Sequence, residues 1–163
     1  MLKTVLILPP FVQPNCPYPS ILNLTAFLKQ QGFNAVQKDL SLECLLTIFS
    51  QSGLKRIFSE AMKMQHEDEE VLRILSLYEN YLLTIEPVVS FLQGKNRNLA
   101  HRVIQEGYLP KGPLFFREID EVKAFGDLGI QDKAKYYCSL MIDELTLFIQ
   151  KTVNPDFGLS RYA

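Results

Sequence analysis

The sequence lacks long runs of any one residue class, and this excludes several kinds of protein. No apolar stretch approaches the roughly 18 residues that a membrane-spanning helix needs. No run of lysine and arginine is long enough to follow a phosphate backbone, and the net charge is −1, so nucleic acid is not an expected partner. The apolar start is too short for a signal peptide. We therefore expect a cytoplasmic protein without a membrane partner.

Cysteine is also scarce, because the 163 residues contain only three. Cys16, Cys44 and Cys138 are odd in number and far apart, so they match neither a disulfide framework nor a CxxC metal knuckle. Cys44 and Cys138 fall on apolar helical faces and are expected in the core. Cys16 lies in a proline-rich loop, where it either lines a ligand site or fills a tight turn.

The clearest pattern is a strand, a loop, a helix and a second strand between residues 4 and 39. The apolar, β-branched run Thr4–Leu8 predicts a strand buried on both faces. Ser20 can cap a helix that stops at Gly32, and Asn34–Asp39 predicts the second strand. The apolar positions of the helix recur near a 3.6-residue period: Ile21, Leu24, Ala26, Phe27 and Leu28. This spacing predicts a right-handed βαβ unit whose ligand lies beyond the carboxyl ends of the strands.

The remainder of the chain is predicted to be mostly helical. Ser41 can cap the first of these helices, and Pro87 should kink or split a long helix near Ile85. Residues 114–117 are either a short strand or loop aromatics that plug a core, and residues 118–125 are predicted to be helical. A strong amphipathic helix is predicted from Ile130 to Val153.

Two histidines invite a functional interpretation. His66 begins the acidic stretch 66–70. This stretch is interpreted either as a solvated helix start, where the macrodipole favours negative charge, or as a metal site. His101 lies between two arginines and is expected at or near the surface rather than as a catalytic base. No nucleophile elbow, paired carboxylates or triad pattern supports a hydrolase or a transferase.

The predicted fold class is α/β: an incomplete Rossmann-like βαβ unit, followed by a large and mostly helical segment. Residues 1–40 form the βαβ part, and residues 41–163 form a helical segment packed on it. Two strands leave two bare sheet edges. Either a partner molecule, such as a second copy of the chain, completes the sheet, or the chain is the front part of a longer protein. The ragged end of the sequence favours the longer protein.

The loop between the first strand and the first helix holds five of the nine prolines and no glycine. A phosphate cradle needs inward-pointing N–H groups, which glycines usually supply, so a nucleotide loop is excluded at this position. Phe11 and Tyr18 instead offer flat apolar faces. The loop suits a large planar or apolar ligand or a protein partner, unless its prolines only rim the sheet.

Several short motifs resemble the opening of cobalamin-binding-domain radical S-adenosylmethionine proteins. They are Leu-Ile-Leu-Pro-Pro at 6–10, Pro-Tyr-Pro-Ser at 17–20, the helix segment 24–29 with Gly32, and Lys-Asp-Leu-Ser-Leu-Glu at 38–43. The likeness covers about 40 residues. Leu8 and Ser20 depart from it, because the family often has asparagine and glycine at these two positions.

The resemblance implies a cobalamin cofactor. One wall of the corrin site would then come from the first loop, through Pro9, Pro10, Phe11, Cys16, Tyr18, Pro19 and Ser20. The chain has no Asp-x-His-x-x-Gly, so no lower-ligand histidine can be named. It has no Cys-x-x-x-Cys-x-x-Cys either, so the iron–sulfur cluster and S-adenosylmethionine would bind in a later part of the protein.

Two main hypotheses follow. In the first, the chain is the N-terminal, non-catalytic fragment of a cobalamin-dependent radical enzyme, and its partners are the remaining domains. In the second, it is a non-catalytic interaction module that binds a protein through its helical segment, residues 41–153. A stand-alone hydrolase or transferase is a third and weaker hypothesis.

Overall fold

The computed structural model describes residues 3–10, 19–117 and 129–159. Within these ranges the chain is a mixed α/β protein with a two-stranded parallel sheet and predominantly helical structure elsewhere. It divides into two compact units, with the boundary between Ile48 and Phe49. We call them the N-terminal unit and the helical unit.

The N-terminal unit has the predicted order of elements, with one further helix. Its elements are β1 (Lys3–Leu8), α1 (Pro19–Gln30), β2 (Asn34–Asp39) and α2 (Leu40–Ile48). The strands pair in parallel, from Lys3 opposite Asn34 to Leu8 opposite Asp39. Gly32 has a φ of +82°, as a residue just after a helix often does, so the predicted helix stop is confirmed.

Both predicted serine caps in this unit are wrong. Helix α1 begins at Pro19, whose fixed φ suits a first helical position, so Ser20 lies inside the first turn. Helix α2 begins at Leu40, and Ser41 is buried within it. The cap comes from Asp39 at the end of β2, since its carboxylate accepts a hydrogen bond from the N–H of Leu42 at 2.8 Å.

The prediction that β1 is buried on both faces is also wrong. Val5 and Ile7 remain 45% and 52% exposed, and only Leu8 of this strand is buried. In α1, Leu24 and Phe27 are more than half exposed, whereas the buried residue is Thr25. A two-stranded sheet offers too little surface to cover the apolar side chains that its own sequence supplies.

The helical unit is built from five α-helices and two 3₁₀ turns within the described residues. They are α3 (Gln51–Ala61), α4 (Glu69–Ser76), α5 (Tyr78–Leu92), a turn at Arg97–Leu99, α6 (Ala100–Val103), a turn at Pro113–Phe116 and α7 (Ile130–Thr152). Its core is aromatic at the centre: the Phe58 ring stacks on Phe148 with centroids 4.7 Å apart and also contacts Tyr81.

The long helix breaks at a different place from the predicted one. Helices α4 and α5 separate at Leu77, and α5 runs through Pro87 without splitting near Ile85. A proline removes the N–H that would bond the carbonyl four residues earlier, here that of Leu83. Since Leu83 is 72% exposed, water can reach this side of the helix.

The last predicted helix is confirmed, with an end at Thr152 just before Asn154 and Pro155. Residues 113–116 form a 3₁₀ turn, so the strand alternative for 114–117 is wrong. The predicted helix at 118–125 lies outside the described residues.

His101 is exposed, as expected, and Cys138 is fully buried, whereas Cys44 is only half-buried.

Candidate functional site

The predicted ligand site lies at the carboxyl edge of the sheet in the N-terminal unit. Pro9 and Pro10 follow β1 directly, and Pro19 and Ser20 open α1; all four are exposed. Because β1 and β2 are parallel, Asp39 ends its strand at the same edge. Three further predicted site residues, Phe11, Cys16 and Tyr18, lie outside the described residues.

The described part of this edge carries little usable charge. The Asp39 carboxylate caps α2. Lys38 and Glu43 form an ion pair at 3.9 Å with both side chains more than half exposed, and such pairs contribute little. What the edge presents is therefore mainly the rigid, apolar surface of its prolines. Because a proline has no N–H to donate, the described part of this surface suits a flat or apolar group better than a phosphate.

The acidic stretch at 66–70 is engaged in structural contacts. Asp68 caps α4 by accepting from the N–H groups of Glu70 and Val71. Lys151 Nζ lies 2.7 Å from both the Asp68 and Glu70 carboxylates, and Arg117 adds a contact of 3.2 Å to Glu70. The hydrogen bond from Lys151 lowers the pKa of both carboxyl groups.

The metal interpretation of this stretch gains no support from these contacts. A ring nitrogen of His66 lies 2.7 Å from the carbonyl of Ala61. Among the described residues, no three His, Cys, Asp or Glu side chains are placed to hold a metal ion.

The helical unit contains a buried carboxyl group that sequence reasoning missed. Glu144 of α7 is 0% exposed. It accepts hydrogen bonds from the Tyr81 hydroxyl at 2.9 Å and from the N–H groups of Gly112 and Leu114 at 3.2 and 2.8 Å. Burial raises its pKa to about 7, although these donors oppose the rise. The available signal was a glutamate between Met141 and Leu145, on the apolar stripe of its helix.

Residues 109–117, which we call the strap, are anchored on two sides. Glu144 binds its N–H groups, and Arg73 of α4 donates from Nε and a terminal nitrogen to the carbonyl of Lys111 at 3.2 and 3.0 Å. The Arg73 guanidinium also lies 4.6 Å from the ring centre of Phe116. A Cβ at Gly112 would lie 2.5 Å from a Glu144 oxygen, so only glycine allows this approach.

Burial also affects two other titratable groups of the helical unit, Cys138 and Tyr81. Burial raises the pKa of the Cys138 thiol to about 12, so the thiolate needed for nucleophilic chemistry is not populated. Burial, with the nearby Glu144 charge, also raises the pKa of Tyr81. None of the described helices combines the length and apolar character that a membrane crossing requires.

No protein-family model, curated protein or solved structure matches the chain.

Proposed function

We propose that the N-terminal unit is the opening part of a Rossmann-like, cobalamin-binding domain in a radical S-adenosylmethionine enzyme. Its first loop would form one wall of the corrin site, through Pro9, Pro10, Phe11, Cys16, Tyr18, Pro19 and Ser20. In this proposal the chain itself is non-catalytic. The iron–sulfur cluster and S-adenosylmethionine bind elsewhere in the enzyme, because the sequence has no three-cysteine motif for the cluster.

The observation that carries the proposal is the exposed apolar surface on β1 and α1. Parallel sheets are normally covered on both faces by further elements. Val5 and Ile7 on the strand, and Leu24 and Phe27 on the helix, are between 45% and 56% exposed. Side chains of this kind fit a unit that packs against additional strands and helices, as the opening part of a larger α/β domain does.

The residues at the carboxyl edge fit a corrin better than a nucleotide. A corrin ring is broad and largely apolar, and proline rings give it a rigid surface at low entropic cost. Neither His66 nor His101 belongs to the N-terminal unit, so this unit would hold the corrin without a histidine ligand to cobalt. The bound corrin would supply the cobalt chemistry, and these residues would orient one of its faces.

Equilibrium dialysis against hydroxocobalamin tests the proposal. Ser20→Trp places a large ring at an exposed position beside the proposed corrin surface, and Ser59→Trp makes the same change at an exposed position of α3. We expect the unaltered chain and Ser59→Trp to retain corrinoid. Ser20→Trp should bind it at least about tenfold more weakly.

Equal retention by the two variants, or no retention by the chain, contradicts the proposal. The interaction-module hypothesis would then take its place. Among the described residues of the helical unit, the most exposed large apolar side chain is Leu83 of α5, at 72%, and it would be the first position to test for a protein contact.

A further inference from the structure

One face of the two-stranded sheet is exposed and apolar at its centre. Side chains alternate between the faces along a strand, and paired residues of neighbouring strands point to the same face. The register therefore places six residues on this face, which we call the open face: Lys3, Val5 and Ile7 of β1, and Asn34, Val36 and Lys38 of β2. Leu8 and Ala35 lie on the other face and are buried. Val5 and Ile7 are about half exposed, so the open face is the one that still needs a cover.

The charges of the open face are both positive and lie at opposite corners. Lys3 begins β1, Lys38 lies near the end of β2, and Val5 pairs with Val36 between them. The spacing of neighbouring strands and the rise along a strand separate the two lysine Cα atoms by about 14 Å. Lys38 makes a long, exposed ion pair with Glu43 of α2, which contributes little and can be exchanged for another carboxylate.

We propose that the open face docks an amphipathic helix whose apolar stripe is bordered by carboxylates. Parallel sheets are normally covered on both faces by helices. The apolar stripe would cover Val5, Ile7 and Val36, and acidic side chains beside it would meet Lys3 and Lys38. Because a helix rises about 1.5 Å per residue, the two carboxylates should lie about 7 to 11 residues apart in the helix.

The helix belongs to the partner that covers the N-terminal unit. In the corrin proposal this partner is the rest of the enzyme, and only that assignment rests on the proposed function. The open face and the carboxyl edge of the sheet are different surfaces. Helix docking and corrinoid retention are therefore measured separately, and each can fail without the other.

A second copy of the chain is a poor occupant of this face. Two open faces packed together would bring Lys3 and Lys38 of one copy towards the same two lysines of the other, and like charges oppose such a contact. The positive corners instead select an acidic partner.

Two synthetic peptides test the proposal on the full chain. Both are helical and carry the same leucine stripe, but one has glutamate and the other has lysine at the same two flanking positions. We expect the acidic peptide to bind at least about fivefold more tightly by fluorescence anisotropy, with a preference that added salt reduces. Methyl NMR shifts should place it on Val5, Ile7 and Val36.

Charge reversal on the open face separates specific docking from general hydrophobic contact. Lys3→Glu combined with Lys38→Glu should reverse the preference, so that the basic peptide binds more tightly. Lys29→Glu combined with Lys55→Glu makes the same change in net charge at exposed positions of α1 and α3, and it should keep the preference for the acidic peptide. If circular dichroism shows that the first pair does not fold, Lys3→Gln combined with Lys38→Gln replaces it and should abolish the preference.

Equal binding of the two peptides, no binding, or methyl shifts outside the open face would overturn the proposal. Two further results would assign the face to another occupant and overturn it as well. One is cosedimentation with phosphatidylserine and phosphatidylcholine vesicles that excess acidic peptide does not compete away. The other is a dimer that persists in excess acidic peptide and keeps the methyl groups of the open face in its contact.

Discussion

At the scale of single residues, the helical unit depends on one close approach between a backbone and a carboxyl group. Gly112 and Glu144 come so near that a Cβ on the glycine would lie 2.5 Å from Oε1 and 2.7 Å from Oε2. Real Cβ atoms do not tolerate such distances, and the acid is fixed by Tyr81 and Leu114. The position thus requires glycine for space rather than for a positive φ.

Gly112→Ala should destabilise the chain by about 1–3 kcal/mol, the usual cost of overpacking. Gly158→Ala is the matched control, because no atom of the described residues lies within 4 Å of a Cβ placed there. Urea denaturation followed by circular dichroism gives both free energies of unfolding. Equal values for the two variants would show that Glu144 can move aside.

At the scale of elements, α3 begins with a side-chain cap. Ser50 accepts a hydrogen bond from the N–H of Gly53 at 3.0 Å, so the polar stretch 50–53 starts a new helix. Ser50→Ala should lower the free energy of unfolding by about 1 kcal/mol. Ser59→Ala, at an exposed position within the same helix, should change it little, and a similar loss from both serines would argue against the cap.

A second element-scale contact joins the first turn of α4 to the last turn of α7 through Lys151. Lys151→Gln should destabilise the chain near neutral pH, because Asp68 and Glu70 lose the cation that lowers their pKa. Since a lowered pKa stabilises only while the carboxylates are ionised, the difference from the unaltered chain should shrink as the pH falls below 4.5.

Thermal unfolding at several pH values measures this difference. Lys135→Gln removes a more exposed pair with Asp132 and serves as the control, with a smaller effect at every pH. A difference for Lys151→Gln that stays constant into acid would contradict the assignment.

At the scale of the whole molecule, the sequence predicted the strands and the helix of the N-terminal unit well. It did not predict which of their side chains are buried. The proline pair after β1, Gly32 after α1 and the spacing between them are local signals, and they placed both strands and the helix correctly. Burial of Val5 and Phe27 depends on what packs against them, and periodicity carries no such information. The burial of Glu144 could not be predicted either, because its hydrogen-bond partners are 30 to 63 residues away in sequence.

The arrangement of the residues at the candidate site was predictable only in outline. Parallel strands place Pro9, Pro19 and Asp39 at one edge of the sheet, and this followed from the βαβ spacing. Ser20 lies inside α1 because Pro19 starts the helix, and Asp39 can cap α2 because it ends β2 directly before that helix begins. Neither could be derived from residue types alone.

Two features of the described residues lead to a prediction for the isolated chain: a sheet of only two strands and exposed apolar side chains on β1 and α1. We expect copies to associate as concentration rises, by pairing sheet edges or exchanging strands. Light scattering over a concentration series measures this. Ile7→Lys should weaken association, because a charge on such a strand opposes pairing, whereas Leu83→Lys in α5 should not. A strictly monomeric chain at high concentration would contradict the prediction.

The contact between Gly112 and Glu144 also bears on how this sequence can diverge. Two positions separated by 32 residues along the chain share one small volume, so neither can change freely while the other stays fixed. A side chain larger than hydrogen at 112 becomes tolerable only after the acid at 144 is shortened or replaced. Homologous sequences should therefore vary at these two positions together, and a bulkier residue at the first should accompany loss of glutamate at the second.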